Sequence, residues 1–250
     1  MSNTEEKQVL SEAYGVIGEL FLSAPDVDLE ALRAGARDLS ARLVSVDDAG
    51  AASLSRFLEE PQISEEDYVD LFELEPKCPL YMGSHVFEEP KTCATASVSE
   101  RNDYMIELLA IYRHFGRAPN GMELPDYLPM MVDFLATTAS SGDPIRVKLL
   151  RNYLLPYLPP MRKKLLELGT PYLHLLDALE NVIRRDLGKA ASADLPDPKA
   201  GLLARPALSP SKGPALVTGI GVRRPDQAGP SEGMTHKERE AASWTATSTS

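Results

Sequence analysis

The 250-residue chain has little cysteine, a single tryptophan and no long apolar run. Its two cysteines, Cys78 and Cys93, share the segment KCPLYMGSHVFEEPKTC and match no standard zinc spacing. Two free thiols are therefore expected rather than a disulfide or a structural metal. No stretch approaches the roughly 18 consecutive apolar residues of a membrane span. The opening MSNTEEKQVL lacks the basic start and apolar centre of a secretory signal, so a cytoplasmic location is expected. Dinucleotide fingerprints, P-loops, nucleophile elbows and H-E-x-x-H are all missing. So are alternating runs long enough for a strand, and with them the βαβ rhythm of α/β enzymes.

Charge is plentiful but unevenly placed. The net value is −11; residues 189–250 carry 8 Lys+Arg and 6 Asp+Glu (+2), which leaves 18 basic and 31 acidic groups (−13) in residues 1–188. So acidic a body suits nucleic acid poorly, because phosphate contacts need a basic face. Long-range attraction would favour a cationic partner, although solubility alone also accounts for it. Aromatic residues mark the same boundary. All nine Tyr and six Phe precede residue 173, and the last 62 residues hold only Trp244. This Pro-, Gly-, Ala- and Ser-rich tail is expected to be largely disordered, with a weak helical patch near THKEREAAS.

The body reads as helix after helix. Ser2 and Glu5 form a capping box ahead of Val9, Leu10, Ala13, Ile17, Leu20 and Phe21. Asp28 can cap a second helix with Leu29, Leu32, Ala36, Leu39 and Leu43 on one face. A third runs from about Asp47 to Leu58, and Ser64 opens a short acidic one carrying Tyr68, Leu71 and Phe72. Residues 75–97 are irregular. A long helix then starts at Ser97 with Glu100, carries Tyr104, Leu108, Ile111, Tyr112 and Phe115, and stops at Gly116. Asp143-Pro144 begins another, interrupted at Pro156, Pro159 and Pro160 and ending at Gly169. Thr170-Pro171 launches the last, with Leu173, Leu176, Leu179, Ile183 and Leu187 on its face. The expected fold is all-α, a single bundle-like domain over 1–188 with the tail at 189–250.

Candidate chemistry is sparse. His85, His114, His174 and His236 are scattered, and none stands in a local nucleophile signature. His114, near a helix C-terminus, suits the helix dipole; His85 lies in the irregular segment, where function often resides. The stretch MELPDYLPMMVDFLA, Met122–Ala136, has apolar residues at helical spacing around Pro129. With Asp126 as N-cap, Pro129 would be the third helical residue, where no intrahelical N–H is required. Asp126 could then be a cap, or an acid that meets a ligand. The alternative enzyme reading is a metal-dependent hydrolase using Asp126, His85 and His114; no enzyme activity is expected.

In order, YVDLFEL, CPLYMGSHVF, IYRHFGRAPN and ELPDYLPMMVDFL resemble the TorD/DmsD/NarJ family of redox-enzyme maturation chaperones, most closely its NarJ-like branch. That branch serves enzymes of the nitrate, selenate or chlorate reductase and dimethylsulfide or ethylbenzene dehydrogenase type. The resemblance covers about residues 5–188. It implies an all-helical cytoplasmic chaperone, without a cofactor of its own. Such a chaperone binds the N-terminal leader, often twin-arginine, of a molybdoenzyme catalytic subunit and holds that subunit for insertion of molybdopterin guanine dinucleotide. Glu123, Pro125, Asp126, Tyr127 and Leu128 match the family's acidic–Pro–Asp–His/Tyr–Leu motif, with Tyr where many members have His. Tyr68, Leu71 and Phe72 match its Y-x-x-L-F helix; Pro79, Leu80 and Tyr81 match the loop beyond. A leader that joins arginines to an apolar stretch needs carboxylates beside an apolar groove. Asp126 or Glu123 could supply the charge-assisted bonds, and Tyr68, Phe72, Leu80, Tyr81, His85, Phe87, Tyr127 and Met130 the docking surface. Core packing accounts for Leu71 and Phe72 at least as well. A helical adaptor unrelated to metalloenzymes, and homodimerisation by helix exchange, remain open.

Overall fold

The computed structural model describes residues 2–22, 28–88, 99–119, 121–188, 196–198 and 244–246, and these are overwhelmingly helical. Helix α1 (Asn3–Leu20) opens on the reciprocal Ser2–Glu5 capping box. Asp28 caps α2 (Leu29–Leu43), Asp47 caps α3 (Asp48–Glu59) and Ser64 caps α4 (Glu65–Phe72), each taking a first-turn N–H that its helix cannot satisfy. A 3-10 turn follows at Met82–His85. Helix α5 (Glu100–His114) is capped by Ser99, whose Oγ accepts from the Asn102 N–H; the expected start at Ser97 lies outside the described residues. Gly116, at φ 67°, ends this run as anticipated.

Helix α6 (Leu128–Thr138) and the short α7 (Pro144–Lys148) come next, the latter capped by Asp143 with proline at its first position. The chain then passes through a π-helical turn (Leu149–Leu154) and a 3-10 turn (Leu155–Tyr157) before α8 (Leu158–Leu168). Pro156 accounts for this detour, because it has no N–H for the ladder and its ring crowds the carbonyl four residues back. Gly169 (φ 61°) ends α8, and α9 (Tyr172–Leu187) starts directly after Thr170-Pro171.

The core surrounds α9, which packs against α3, α1 and α8, while α1 also packs on α6 and α2. Leu175, Leu176, Leu179, Val182 and Ile183 form its fully buried stripe; Leu173, expected on that stripe, is only partly covered. The Tyr172 ring gathers Phe21, Phe57, Tyr68 and Phe72. A second aromatic group joins Phe87, Tyr104, Tyr153 and Tyr157. One departure from the all-helical expectation is a three-residue antiparallel ladder between β1 (Arg117–Pro119) and β2 (Trp244–Ala246). Apart from 196–198 and 244–246 the tail, with its THKEREAAS patch, lies outside the described residues. Among those described, no helix is long and apolar enough to cross a membrane.

A buried ion pair ties four helical segments together. Arg146 of α7 lies 2.6 Å from Asp186 of α9, and both side chains are nearly inaccessible. The Tyr14 hydroxyl of α1 donates to Asp186 at 2.9 Å, and Arg146 also donates to Thr138 Oγ1 and the Leu135 carbonyl in α6. Removing one partner strands the other charge in the interior. Arg146→Met is therefore expected to lower the unfolding free energy in urea by about 3–5 kcal/mol, and adding Asp186→Leu to recover most of that loss. A single-variant loss below about 1 kcal/mol would mean that Asp186 finds water.

Candidate functional site

Two extended segments meet beside the start of α6. Tyr81 and Tyr127 both have extended backbones and form an isolated antiparallel bridge. The Met82 N–H donates to the Asp126 carbonyl at 3.0 Å, and the Leu128 N–H to the Leu80 carbonyl at 2.8 Å. This corrects the role expected for Asp126. The N-cap of α6 is Tyr127, which makes no side-chain cap bond, and Pro129 is the second helical residue rather than the third. The Leu128 N–H, two residues past Asp126 and within reach of such a cap, is already satisfied by Leu80. The proline is tolerated for the reason anticipated, since that position needs no intrahelical N–H.

Asp126 turns instead to the 3-10 turn, where its Oδ2 accepts the Gly83 N–H at 2.9 Å. A Cβ on Gly83 would stand 2.8 Å from that oxygen and 3.5 Å from the Arg101 side chain, so glycine permits the approach. Arg101, from the first turn of α5, donates to Ser84 Oγ at 3.2 Å. Asp126 is completely buried, and among the described residues its Oδ1 has no hydrogen-bond partner. Burial raises its pKa above the usual carboxylate range, opposed by the Gly83 N–H and the positive charge of Arg101.

The outer side of the bridge is more accessible. The Tyr81 and Tyr127 rings lie 5.4 Å apart, both half-buried, and the Tyr81 hydroxyl donates to Glu123 Oε2 at 2.6 Å. Burial, followed by that bond to Glu123, raises the Tyr81 pKa; burial dominates for Tyr127, with contributions from Glu123 and from Glu73 beyond the end of α4. Met122 and Leu124, on either side of Glu123, are exposed, as is Leu74. The rim thus combines two phenol rings, a carboxylate and apolar side chains facing solvent.

The remaining sequence candidates lie elsewhere. Tyr68, Phe72, Leu80, Phe87 and Met130 are buried in the core. Tyr68 donates to the Phe21 carbonyl at 2.8 Å, and Phe87 packs on Tyr104 and Tyr157. Pro125 is buried, and its carbonyl accepts from Tyr112 at 2.7 Å. His85 donates through Nε2 to the Pro79 carbonyl at 2.7 Å, and burial lowers its pKa. His114 pairs with Asp143 at 2.7 Å on the surface. Asp126, His85 and His114 are thus engaged separately, and among the described residues no cluster of His, Cys, Asp or Glu has the makings of a metal site. Cys78 is a free, buried thiol whose pKa burial pushes up to about 12; Cys93 lies outside the described residues. Sequence reasoning missed Gly83 and Arg101, which have no local motif, and gave Met122 and Leu124 no role.

Two substitutions probe this arrangement. Gly83→Ala should push the Asp126 carboxylate off its N–H partner and lower stability by about 1–3 kcal/mol in urea unfolding; an unchanged midpoint would show that the turn yields freely. Asp126→Asn tests the buried acid. A carboxyl whose folded pKa is raised stabilises fully below the ordinary carboxylate range, and this contribution is lost as pH rises through the raised value. The Asn variant should therefore gain on the parent as pH climbs through that window in parallel denaturation series, and a gap independent of pH would refute the assignment.

A sequence model of the nitrate reductase delta subunit family matches residues 41–167, more than half of the chain, and the match includes both strands of the bridge. Comparison with curated proteins gives no match. The chain belongs to the nitrate reductase delta subunit family, the NarJ/TorD-type chaperones of molybdoenzyme assembly.

Proposed function

We propose that this protein is a cytoplasmic, client-specific chaperone that grips the N-terminal leader of a molybdoenzyme catalytic subunit, through the rim around Tyr81 and Tyr127. It holds that subunit while molybdopterin guanine dinucleotide, the client's cofactor, is inserted and before assembly or twin-arginine export. The observation that carries the reading is the Tyr81–Glu123 pair, a half-buried phenol bonded to a carboxylate at 2.6 Å and flanked by exposed Met122 and Leu124. Carboxylate beside apolar surface is the chemistry that a leader joining arginines to an apolar run requires. The surplus of 13 negative charges over residues 1–188 would speed the approach of such a cationic segment.

The unlike burial of the two acids supports different parts for them. Glu123, on the rim, would meet guanidinium directly, whereas Asp126 would act by holding the 3-10 turn against the start of α6. The test is calorimetric titration with leader peptides of molybdoenzyme catalytic subunits encoded beside this gene. Binding is expected to weaken with added salt, and Glu123→Gln to reduce affinity about three- to tenfold. Failure of every such leader and apo-subunit to bind would sink the proposal.

A further inference from the structure

A cleft of about 350 Å³ opens where the end of α1, the start of α2, the α3–α4 connection and the start of α9 meet. Leu20, Leu29, Phe57, Tyr68 and Tyr172 form apolar walls, and Arg33 lines the cleft beside them. Its volume falls at the lower end of small-ligand cavities. Two groups in it are incompletely paired. Arg33 donates to the Leu58 and Glu60 carbonyls at 2.8 and 3.0 Å, and its guanidinium carbon lies 5.5 Å from the Phe57 ring centre. Those acceptors are neutral, and among the described residues no carboxylate pairs with Arg33. Burial and then the neighbouring Arg37 lower its pKa, as expected of a cation short of compensation. Tyr172 is only 8% exposed, but its hydroxyl, with no protein partner among the described residues, still reaches solvent, and Arg33 is close enough for its charge to act on that phenol.

We propose that the cleft binds a hydrophobic carboxylate, with an aromatic or branched apolar group against the ring walls and the anionic head on Arg33 and the Tyr172 hydroxyl. One guanidinium balances one negative charge, and Glu65, also in the wall, opposes a dianion. A monocarboxylate fits both conditions. The site lies on elements other than the Tyr81–Glu123 rim and selects the opposite charge, so it stands independently of the leader-binding reading. The same chemistry occurs in a free small acid and at the C-terminal apolar residue of a polypeptide.

Titrating the full chain, followed by calorimetry or ligand-observed NMR, separates these sources. The probes are 3-phenylpropionate, phenethylamine, and the peptide Gly-Gly-Gly-Phe as free acid and as amide. 3-Phenylpropionate should bind at least about tenfold more tightly than phenethylamine. Arg33→Gln should cost about tenfold in its affinity, and Tyr172→Phe, which preserves the packing, about threefold. Unfolding midpoints of the variants distinguish lost binding from lost structure. Saturation by the free acid without peptide binding assigns a small-molecule source, and binding of the peptide acid but not its amide assigns a chain end; either supports the site. No binding of either acid up to about 10 mM, equal binding of the amine, or full affinity in a folded Tyr172→Phe variant overturns it.

Discussion

Leu128 begins α6 without a capping side chain, and the carbonyl of Leu80 satisfies its N–H from a segment almost fifty positions earlier. This exchange determines where the irregular 75–88 stretch sits. The reciprocal bond from Met82 to the Asp126 carbonyl completes the bridge and aligns Tyr81 with Tyr127. Asp126 can then reach the Gly83 N–H, and Tyr112 the Pro125 carbonyl. Inside this layer lie the rings of Tyr104, Tyr157 and Phe87; outside it lies the rim. Pro129 contributes by ruling out an extension of α6 backwards, because its missing N–H is harmless only within the first turn.

Ionic groups are divided between two tasks. Arg146, Asp186 and Tyr14 form a network in the interior that leaves none of their fully buried side-chain N or O atoms without a partner and links four helices. Such a network contributes more to a unique arrangement than to net stability, because desolvation consumes most of the attraction between its charges. The acids near the bridge are poised differently. Glu123 is held in place by one phenol while remaining partly open to solvent, and Arg33 on another part of the bundle rests on neutral carbonyls. Groups held in place but not neutralised are pre-organised for a ligand of opposite charge.

The helical scaffold was legible because its signals are local. Ser2 with Glu5, Asp28, Asp47, Ser64 and Asp143 act on N–H groups two or three residues away, and Gly116 and Gly169 take up left-handed backbone where a helix must stop. Asp126 was misread for the same reason. Its position immediately ahead of α6 suggested a cap, but the competing donor, Gly83, lies 43 residues away and no periodicity announces it. The long helix is capped by Ser99, two positions past the expected start, because a local pattern locates a helix start only to within a residue or two. For Tyr68, Phe72 and Phe87 the sequence motif supplied aromatic character, and only tertiary packing put those rings inside. The Arg33 cleft was invisible in sequence because it is assembled from four separated elements, none of them unusual alone.

The separation of Glu123 from Asp126 also accounts for how a short acidic motif can hold two carboxylates with unlike environments. Glu123 precedes Pro125, which sends the chain inward, and Asp126 is the first acid past that turn. An ionised carboxylate at the position of Asp126 faces burial with one N–H bond, a second oxygen without a partner among the described residues, and the charge of Arg101 nearby. Desolvation is the largest of these effects, so the acid resists ionisation, while the Gly83 N–H and the charge of Arg101 oppose it. Glu123 is only partly covered and keeps contact with solvent. A ligand's cation could therefore compensate Glu123 without displacing any protein group, whereas reaching Asp126 would require opening the bridge. The outer acid is suited to contact and the inner one to holding the site in shape.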